Sequence, residues 1–341
     1  MSRSIAVLGA GAIGSSVGAD LTEAGEDVVL IDPWPAHVEA MRNGGLRVVM
    51  PDLDLETLVR ALHIGELASE RPMFDIVLLA AKSYDTTWMC HLIAPYLADD
   101  GLLVGLQNGM NEEMITPIVG RERTVACVVE LSAEIWEPGL VQRDTTRSGT
   151  WFAVGELDGA ITDRVEEVAA LLRNSARVDV TNNIFGAKWS KLVVNSMTMG
   201  PYSLLGLKNW EASALPGMTE ISVRIGRESA TVGQALGYRL EPIFGMTAEQ
   251  FSGEGDEMLV NAIRVLHGHI GKDATTATVQ DQKKGRRTEL DHITGTVVRK
   301  GREAGVPTPA NDAVIELAGE ITRGERKMEP ANLEALKAIL S

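Results

Sequence analysis

Lys191, Asn195 and Met199 stand four residues apart in a segment, 186–199, that is otherwise mostly apolar or small. On a helix, positions i, i+4 and i+8 share one face, so an ammonium, an amide and a thioether line up along it. Leu192 and Val193 fall to the sides of that face, where they can enter a core. A lysine held among apolar neighbours at a domain junction loses solvent; its pKa drops and it suits general-acid chemistry. The same residues fit a plainer account: a surface lysine with its stem laid along apolar neighbours, followed by a capped or buried asparagine.

The second chemical signature is N-terminal. The apolar run 5–8 feeds directly into Gly9-Ala10-Gly11-Ala12-Ile13-Gly14, the G-x-G-x-x-G spacing. In a dinucleotide site Gly9 allows the tight turn, Gly11 lets the backbone approach a pyrophosphate, and Gly14 lets the new helix pack on the strand. The helix N-terminus offers N–H groups and a positive dipole end to the phosphates. The next strand, Asp27-Val28-Val29-Leu30-Ile31, ends in Asp32, and no lysine or arginine follows until Arg42. A carboxylate there suits the two hydroxyls of an adenosine ribose and repels a 2′-phosphate, which favours NADH. Asp32 also fits a helix N-cap before Pro33, and the two roles are compatible. A structural Gly-rich turn in another kind of α/β protein is the alternative for the motif.

The elements that must position these groups follow from hydrophobic patterning. Helix is predicted over 12–24, strand over 28–31, and a further helix opened by Pro33-Trp34-Pro35. Strands over 74–80 and 101–106 bracket a helix over about 83–97. Strands are predicted over 124–133 and 150–154, with Glu137-Pro138-Gly139 as the turn between them, then a helix over 165–172 and a strand over 177–180. This alternation predicts a doubly wound sheet. After Asn182-Asn183 the pattern turns helical, over 187–199, 218–236, 257–266, 288–304 and 311–323. Thr308-Pro309 reads as a stop and Asn311 as the N-cap of the last helix. The expected architecture is α/β: an N-terminal Rossmann doubly wound sheet over 1–180, followed by an all-α C-terminal domain over 181–341. No Ser/Gly-rich linker intervenes, which predicts two domains packed around a cleft.

Two domains also suit the length of 341 residues. At 45% hydrophobic and 23% charged, the composition is that of an ordinary soluble protein. A net charge of −15 opposes nucleic acid or an anionic membrane as partner, though not a small anion held in a cleft. No stretch approaches the ~18 apolar residues of a membrane span, and no signal segment is expected. The two cysteines, Cys90 and Cys127, lie in or beside apolar segments and fit reduced thiols in a cytoplasmic protein. No metal-ligand spacing appears. His37, His63, His91, His267, His269 and His292 are scattered, and surface or structural roles account for them.

Together the motifs resemble the ketopantoate reductase family (2-dehydropantoate 2-reductases). The matching residues are Gly9-Ala10-Gly11-Ala12-Ile13-Gly14, Ala81-Lys82, Gln107-Asn108-Gly109-Met110, Trp189-Ser190-Lys191-Leu192-Val193-Val194-Asn195 and Thr288-Glu289-Leu290-Asp291, in the family's order over nearly the whole length. The resemblance implies a Rossmann domain, a helical domain and an active site between them. It implies Lys191 as proton donor, Asn195 as a substrate contact, and Glu289 as the acid that orients substrate and supports the lysine. It also implies Lys82 and Asn108 beside the nicotinamide and its ribose and, on a looser alignment, Asn209 as a further substrate contact. NADPH is the family's usual cofactor, against the reading of Asp32. Without the resemblance, Glu289 is an ordinary helix-start carboxylate in a solvated first turn with Thr288 and Asp291.

Two substrate-pocket positions depart from the family. Met199 stands where an asparagine is usual, and Ala277, between Thr276 and Thr278, where a serine is usual. Each loses a hydrogen-bonding group worth about 1 kcal/mol or more, which points to a more apolar 2-oxo acid than ketopantoate. The expected function is an NAD(P)H-dependent oxidoreductase interconverting a small 2-oxo acid and a 2-hydroxy acid. The alternatives are an NAD-dependent D-2-hydroxy acid dehydrogenase with an aromatic or branched substrate, and a non-catalytic dinucleotide sensor. A β-hydroxyacid dehydrogenase shares the plan, but its paired asparagines are poorly matched here. Exposed helices in the second half fit a homodimer without demanding one.

Overall fold

The computed structural model describes residues 3–243, 256–270 and 274–340. The chain divides into two compact units, Met1–Ile184 and Phe185–Ser341. The first begins with β1 (Ser4–Leu8), α1 (Ala12–Glu23), β2 (Asp27–Asp32) and α2 (Pro35–Gly44). Next come β3 (Leu46–Val49), β4 (Asp54–Thr57), β5 (Arg60–His63) and the single turn α3 (Leu67–Glu70). β6 (Phe74–Leu79), α4 (Thr86–Ile93), β7 (Leu97–Gly105), α5 (Glu112–Val119) and β8 (Thr124–Glu130) follow. The unit closes with β9 (Ala133–Glu137), β10 (Leu140–Arg143), β11 (Trp151–Gly155), α6 (Asp163–Leu172) and β12 (Arg177–Val180).

Eight strands form one sheet in the order β12-β11-β8-β7-β6-β1-β2-β5. From β5 to β8 the neighbours are parallel. β11 then joins β8 antiparallel, and β12 joins β11 parallel. β1 and most of β2, β6 and β8 are nearly continuous apolar runs because both faces are covered there. Ile5, Val7, Leu30 and Leu78 pack with Val17 of α1 and Val168 of α6. Ala6, Leu8, Val29 and Val77 pack with Met89 of α4 and Ile115 of α5. Strand order reverses between β1 and β6, so a crevice opens at their C-terminal ends.

A second sheet, β4-β3-β10-β9, escapes the sequence reading. Its strands span four or five residues and carry Arg47, Asp54 and Glu56, so the apolar signal is short and interrupted. Val48, Leu55, Ile135 and Val141 turn inward to the core on the α1 side. The strand expected over 124–133 is therefore two, β8 in the large sheet and β9 in the small one. Glu137-Pro138-Gly139 turns β9 into β10, not into β11, with Gly139 at φ +78°. Fully buried Arg143 secures this sheet, donating to Asp20 at 2.6 Å and to Thr150 and Ser175 at 2.8 Å. The helix expected over 83–97 is shorter: α4 lies between two 3₁₀ turns, and Leu97 already opens β7.

The second unit comprises α7 (Ile184–Leu205), α8 (Asn209–Ser213), α9 (Met218–Ala235), α10 (Glu257–Ile270), α11 (Ala277–Lys283), α12 (Thr294–Ala304), α13 (Pro309–Thr322) and α14 (Asn332–Leu340). No strand occurs among its described residues. α7 is buried all round over 186–205, which makes it the central helix of the unit. α9 grips one side of it. A Cβ on Gly233 would stand 2.2 Å from Trp189 Nε1, and one on Gly226 2.5 Å from Met197 Sδ. Trp189 Nε1 donates to Ser229 O at 2.9 Å, and the Ser196 and Ser229 hydroxyls meet at 2.8 Å.

The C-terminal helices differ from expectation. α13 starts at Pro309 with Thr308 at its N-cap, so Thr308-Pro309 is a start rather than a stop. Asn311 lies inside that helix, buried, and donates to Ile225 O and Glu228; Glu228 also accepts the N–H groups of Ala310 and Asn311 and so caps α13 from α9. α13 is not the last helix, since α14 follows. The helix expected over 288–304 begins only at Thr294, after a 3₁₀ turn, Leu290–His292.

Candidate active site

The chain turns at Gly9 with φ +93°, a backbone that only glycine adopts without strain. A Cβ there would lie 2.8 Å from Ala81 N, so this is also where the loop after β1 meets the loop after β6. A Cβ on Gly14 would lie 2.1 Å from Gly9 O and 3.0 Å from Val7, so this glycine lets α1 close onto β1. Gly11 differs, because a Cβ on it would meet no protein atom within 4 Å. The fold itself does not demand glycine at 11; a phosphate pressed against the backbone does. Ala10 is buried, and Ala12 and Ile13 open α1, whose first turn has no side-chain cap and no acidic residue. Its positive end is therefore left for an anion. The residues fit a bound dinucleotide.

Asp32 ends β2, buried, with Oδ1 accepting from Trp34 N at 2.8 Å. This is an Asx turn rather than the expected N-cap: the capping residue of α2 is Trp34, with Pro35 at N1. Arg42 gives its guanidinium to Ala61 O at 2.9 Å and to Glu39 and Glu66.

β6 and β7 are parallel neighbours, so the loops carrying Lys82 and Asn108 lie side by side. Ser83 Oγ donates to Asn108 O at 3.1 Å, and Asn111 Nδ2 donates to Ser83 Oγ at 3.1 Å and to Asn108 O at 2.9 Å. Gln107 Nε2 donates to Ala81 O at 2.8 Å and to Thr86 Oγ1 at 2.9 Å. These bonds set both loops. Ser83, Thr86 and Asn111 belong to no motif, so only their nearness to Ala81-Lys82 and Gln107-Asn108 could have drawn notice.

In the helical unit, Trp189, Ser196 and Met197 face α9. At about 100° per residue, Lys191, Asn195 and Met199 centre roughly half a turn away from that side. All three are buried, and burial pushes the Lys191 ammonium down to about 7. The surface-lysine account is thus wrong: Lys191 is only 8% exposed. Met199 O accepts from Thr278 Oγ1 at 2.8 Å, and Thr278 shares a 2.9 Å hydrogen bond with Thr276, which caps α11. Met199 is thereby placed beside the turn that begins at Ala277, so the two positions that depart from the family are neighbours.

Asn209 opens α8, donates its N–H to Ala274 O at 3.1 Å, and keeps a buried Oδ1 with no hydrogen-bond partner among the described residues. Such an atom is costly unless a ligand satisfies it. Glu289 is buried while Asp291 is exposed, which overturns the solvated-turn account of Glu289. Its segment lies beside α7: a Cβ on Gly200 would stand 3.0 Å from Thr294 Oγ1 and 4.0 Å from Leu290. The structure thus gathers the segments of Met199, Asn209, Ala277 and Glu289, with Asn195 one turn and Lys191 two turns before Met199 on the same helix face. Among the described residues no three His, Cys, Asp or Glu are grouped to hold a metal, and no helix is long and apolar enough to cross a membrane. The His269 side chain lies outside the described set.

The family model for ketopantoate reductase PanE/ApbA matches residues 5–158, and its C-terminal companion matches residues 183–322. The chain belongs to the ketopantoate reductase family. As a ketopantoate reductase family member it is an NAD(P)H-dependent oxidoreductase of small 2-oxo and 2-hydroxy acids. It is 27% identical over 328 residues to a 2-dehydropantoate 2-reductase of Archaeoglobus fulgidus, across 94% of this chain and 98% of the relative. The crystal structure of 2-dehydropantoate 2-reductase from Geobacter metallireducens GS-15 superposes with TM-score 0.82 at 26% identity, covering 93% of this chain and 99% of that one. D-mandelate dehydrogenase, solved with NADH and anilino(oxo)acetate, shares the fold at TM-score 0.83 and 24% identity, covering 94% and 98%.

Proposed function

We propose that this family member reduces a 2-oxo acid with Lys191 as the proton donor, and that the neutral amine serves as base in the reverse direction. The dinucleotide supplies the hydride when bound at the 9–14 loop. The observation that carries the reading is the burial of Lys191, whose pKa of about 7 populates both protonation states near neutrality. An ammonium beside the carbonyl oxygen stabilises the negative charge that grows there and then protonates it. Asn195 and Asn209 hold the substrate's oxygens, and Glu289 orients the substrate and supports the lysine. Lys82 and Asn108 stand beside the nicotinamide and its ribose.

We read the cofactor as NADH. Asp32 presents a carboxylate where a 2′-phosphate would need a cation, and Arg42 is engaged elsewhere. For the substrate, Met199 and Ala277, neither with a hydrogen-bonding side chain and set in segments joined by the Thr278–Met199 hydrogen bond, favour an aromatic or branched 2-oxo acid over ketopantoate. Cys90 and Cys127 are buried free thiols, which suits a cytoplasmic protein.

Steady-state kinetics of Lys191→Ala test the donor assignment. Turnover is expected to fall by about 100-fold or more while dinucleotide affinity holds. Near-normal turnover in that variant refutes it.

A further inference from the structure

His37 has no part in the reading above, yet it is fully buried against the dinucleotide loop. The N–H of Gly139, in the turn from β9 to β10, donates to His37 Nδ1 at 2.9 Å. Nδ1 is therefore an acceptor, and the ring proton sits on Nε2. Nε2 lies 2.9 Å from Ala10 O and 3.1 Å from Ser15 Oγ, and Ser15 Oγ itself donates to Ala10 O at 2.8 Å. Two donors thus hold one carbonyl, that of the peptide joining Ala10 to Gly11. In a trans peptide the C=O and N–H point opposite ways, so fixing Ala10 O aims the Gly11 N–H away from His37. Gly11 is the loop glycine whose missing Cβ no protein atom explains. The imidazole also stacks on Trp34, ring centroids 5.4 Å apart, and the Trp34 N–H is held by Asp32. One run of contacts therefore links Asp32, on the ribose side, to Gly11, on the phosphate side. Burial lowers the pKa of His37 and keeps the ring neutral, which preserves the acceptor at Nδ1.

We propose that His37 is a positioning residue for the dinucleotide. Its Nε2–H fixes the Ala10–Gly11 peptide so that the Gly11 N–H faces the pyrophosphate, and its Nδ1 anchors that loop to the β9–β10 hairpin. The proposal rests on the dinucleotide binding at the 9–14 loop. NADH and NADPH titrations, read by nicotinamide fluorescence, keep the two apart. Wild-type protein that binds neither overturns the dinucleotide reading together with this one. Wild-type that binds, beside variants that bind equally well, overturns only the role of His37.

His37→Phe keeps a ring on Trp34 and loses both hydrogen bonds. Its Kd and KM for the dinucleotide are expected to rise about tenfold, with kcat and the KM for the 2-oxo acid within about twofold. His37→Gln, whose amide can still donate to Ala10 O, is expected to recover most of that loss, which a purely packing role would not produce. Should His37→Phe fail to fold by circular dichroism, Ser15→Ala removes the other donor to Ala10 and is expected to raise the same Kd about threefold. An unchanged dinucleotide Kd in the folded variants, or a loss confined to kcat, overturns the proposal.

Discussion

Gly9 and Ala81 approach so closely that a Cβ on the glycine would lie 2.8 Å from the alanine's backbone nitrogen. They belong to neighbouring strands' loops at the point where the order of the sheet reverses. Backbone cannot yield as a side-chain tip can, and φ +93° penalises any Cβ further. Gly9→Ala is expected to cost about 1–3 kcal/mol of stability and to abolish tight dinucleotide binding. Gly11→Ala clashes with nothing in the protein, so it should keep full stability while weakening the dinucleotide. Urea denaturation and NADH titration of the pair check this; equal stability losses would contradict the distinction.

With Lys191 as the proposed proton donor, its burial, which places it near 7 instead of 10.5, sets the pH dependence of catalysis. Reduction needs the charged ammonium, so its kcat/KM should be flat at low pH and fall as pH rises through about 7. Oxidation needs the neutral amine and should rise through the same pH. Initial rates in both directions check for mirrored profiles with a shared midpoint. Stability carries the matching sign. Between about 7 and 10.5 the unfolded chain holds the extra proton, so stability should increase with pH across that window.

On the proposed NADH preference, Asp32 decides cofactor choice. Wild-type kcat/KM is expected to favour NADH over NADPH by about tenfold or more. Asp32→Asn keeps an oxygen for the Trp34 N–H but removes the charge, so the ratio should narrow without loss of fold. Parallel assays with both dinucleotides decide it, and a wild-type preference for NADPH would rule out the NADH reading.

On the proposed apolar pocket, Met199 and Ala277 decide substrate choice. The double change Met199→Asn with Ala277→Ser restores two hydrogen-bonding side chains. It should move preference toward ketopantoate and away from benzoylformate and branched 2-oxo acids by about fivefold or more. A substrate panel on wild type and variant reads this directly. Wild type that already prefers ketopantoate would defeat the apolar-pocket argument.

The large sheet is readable from sequence because strands such as 5–8 and 74–79 are buried on both faces and form unbroken apolar runs. The four-stranded sheet is not, since residues such as Arg47 and Glu56 alternate with few inward side chains over very short spans. Lys191 and Asn195 are visible as a helical spacing, but their burial is a tertiary outcome that spacing does not show. Asn311 shows the limit of local rules: its residue type suits a cap, yet Glu228 on α9 performs that service. His37 is invisible for a related reason. Its partners Ala10, Ser15 and Gly139 meet only after two sheets are assembled.

The two glycines of α9 that admit Trp189 and Met197 bear on how this enzyme can change. A methyl added at Gly233 would intrude to 2.2 Å on the Trp189 ring, which cannot bend aside as the Met197 chain opposite Gly226 can. The other flank carries Met199, whose backbone carbonyl accepts from Thr278. An exchange of the side chain at 199 therefore leaves the hydrogen bond from Thr278 to its backbone, and Lys191 two turns away, as they are.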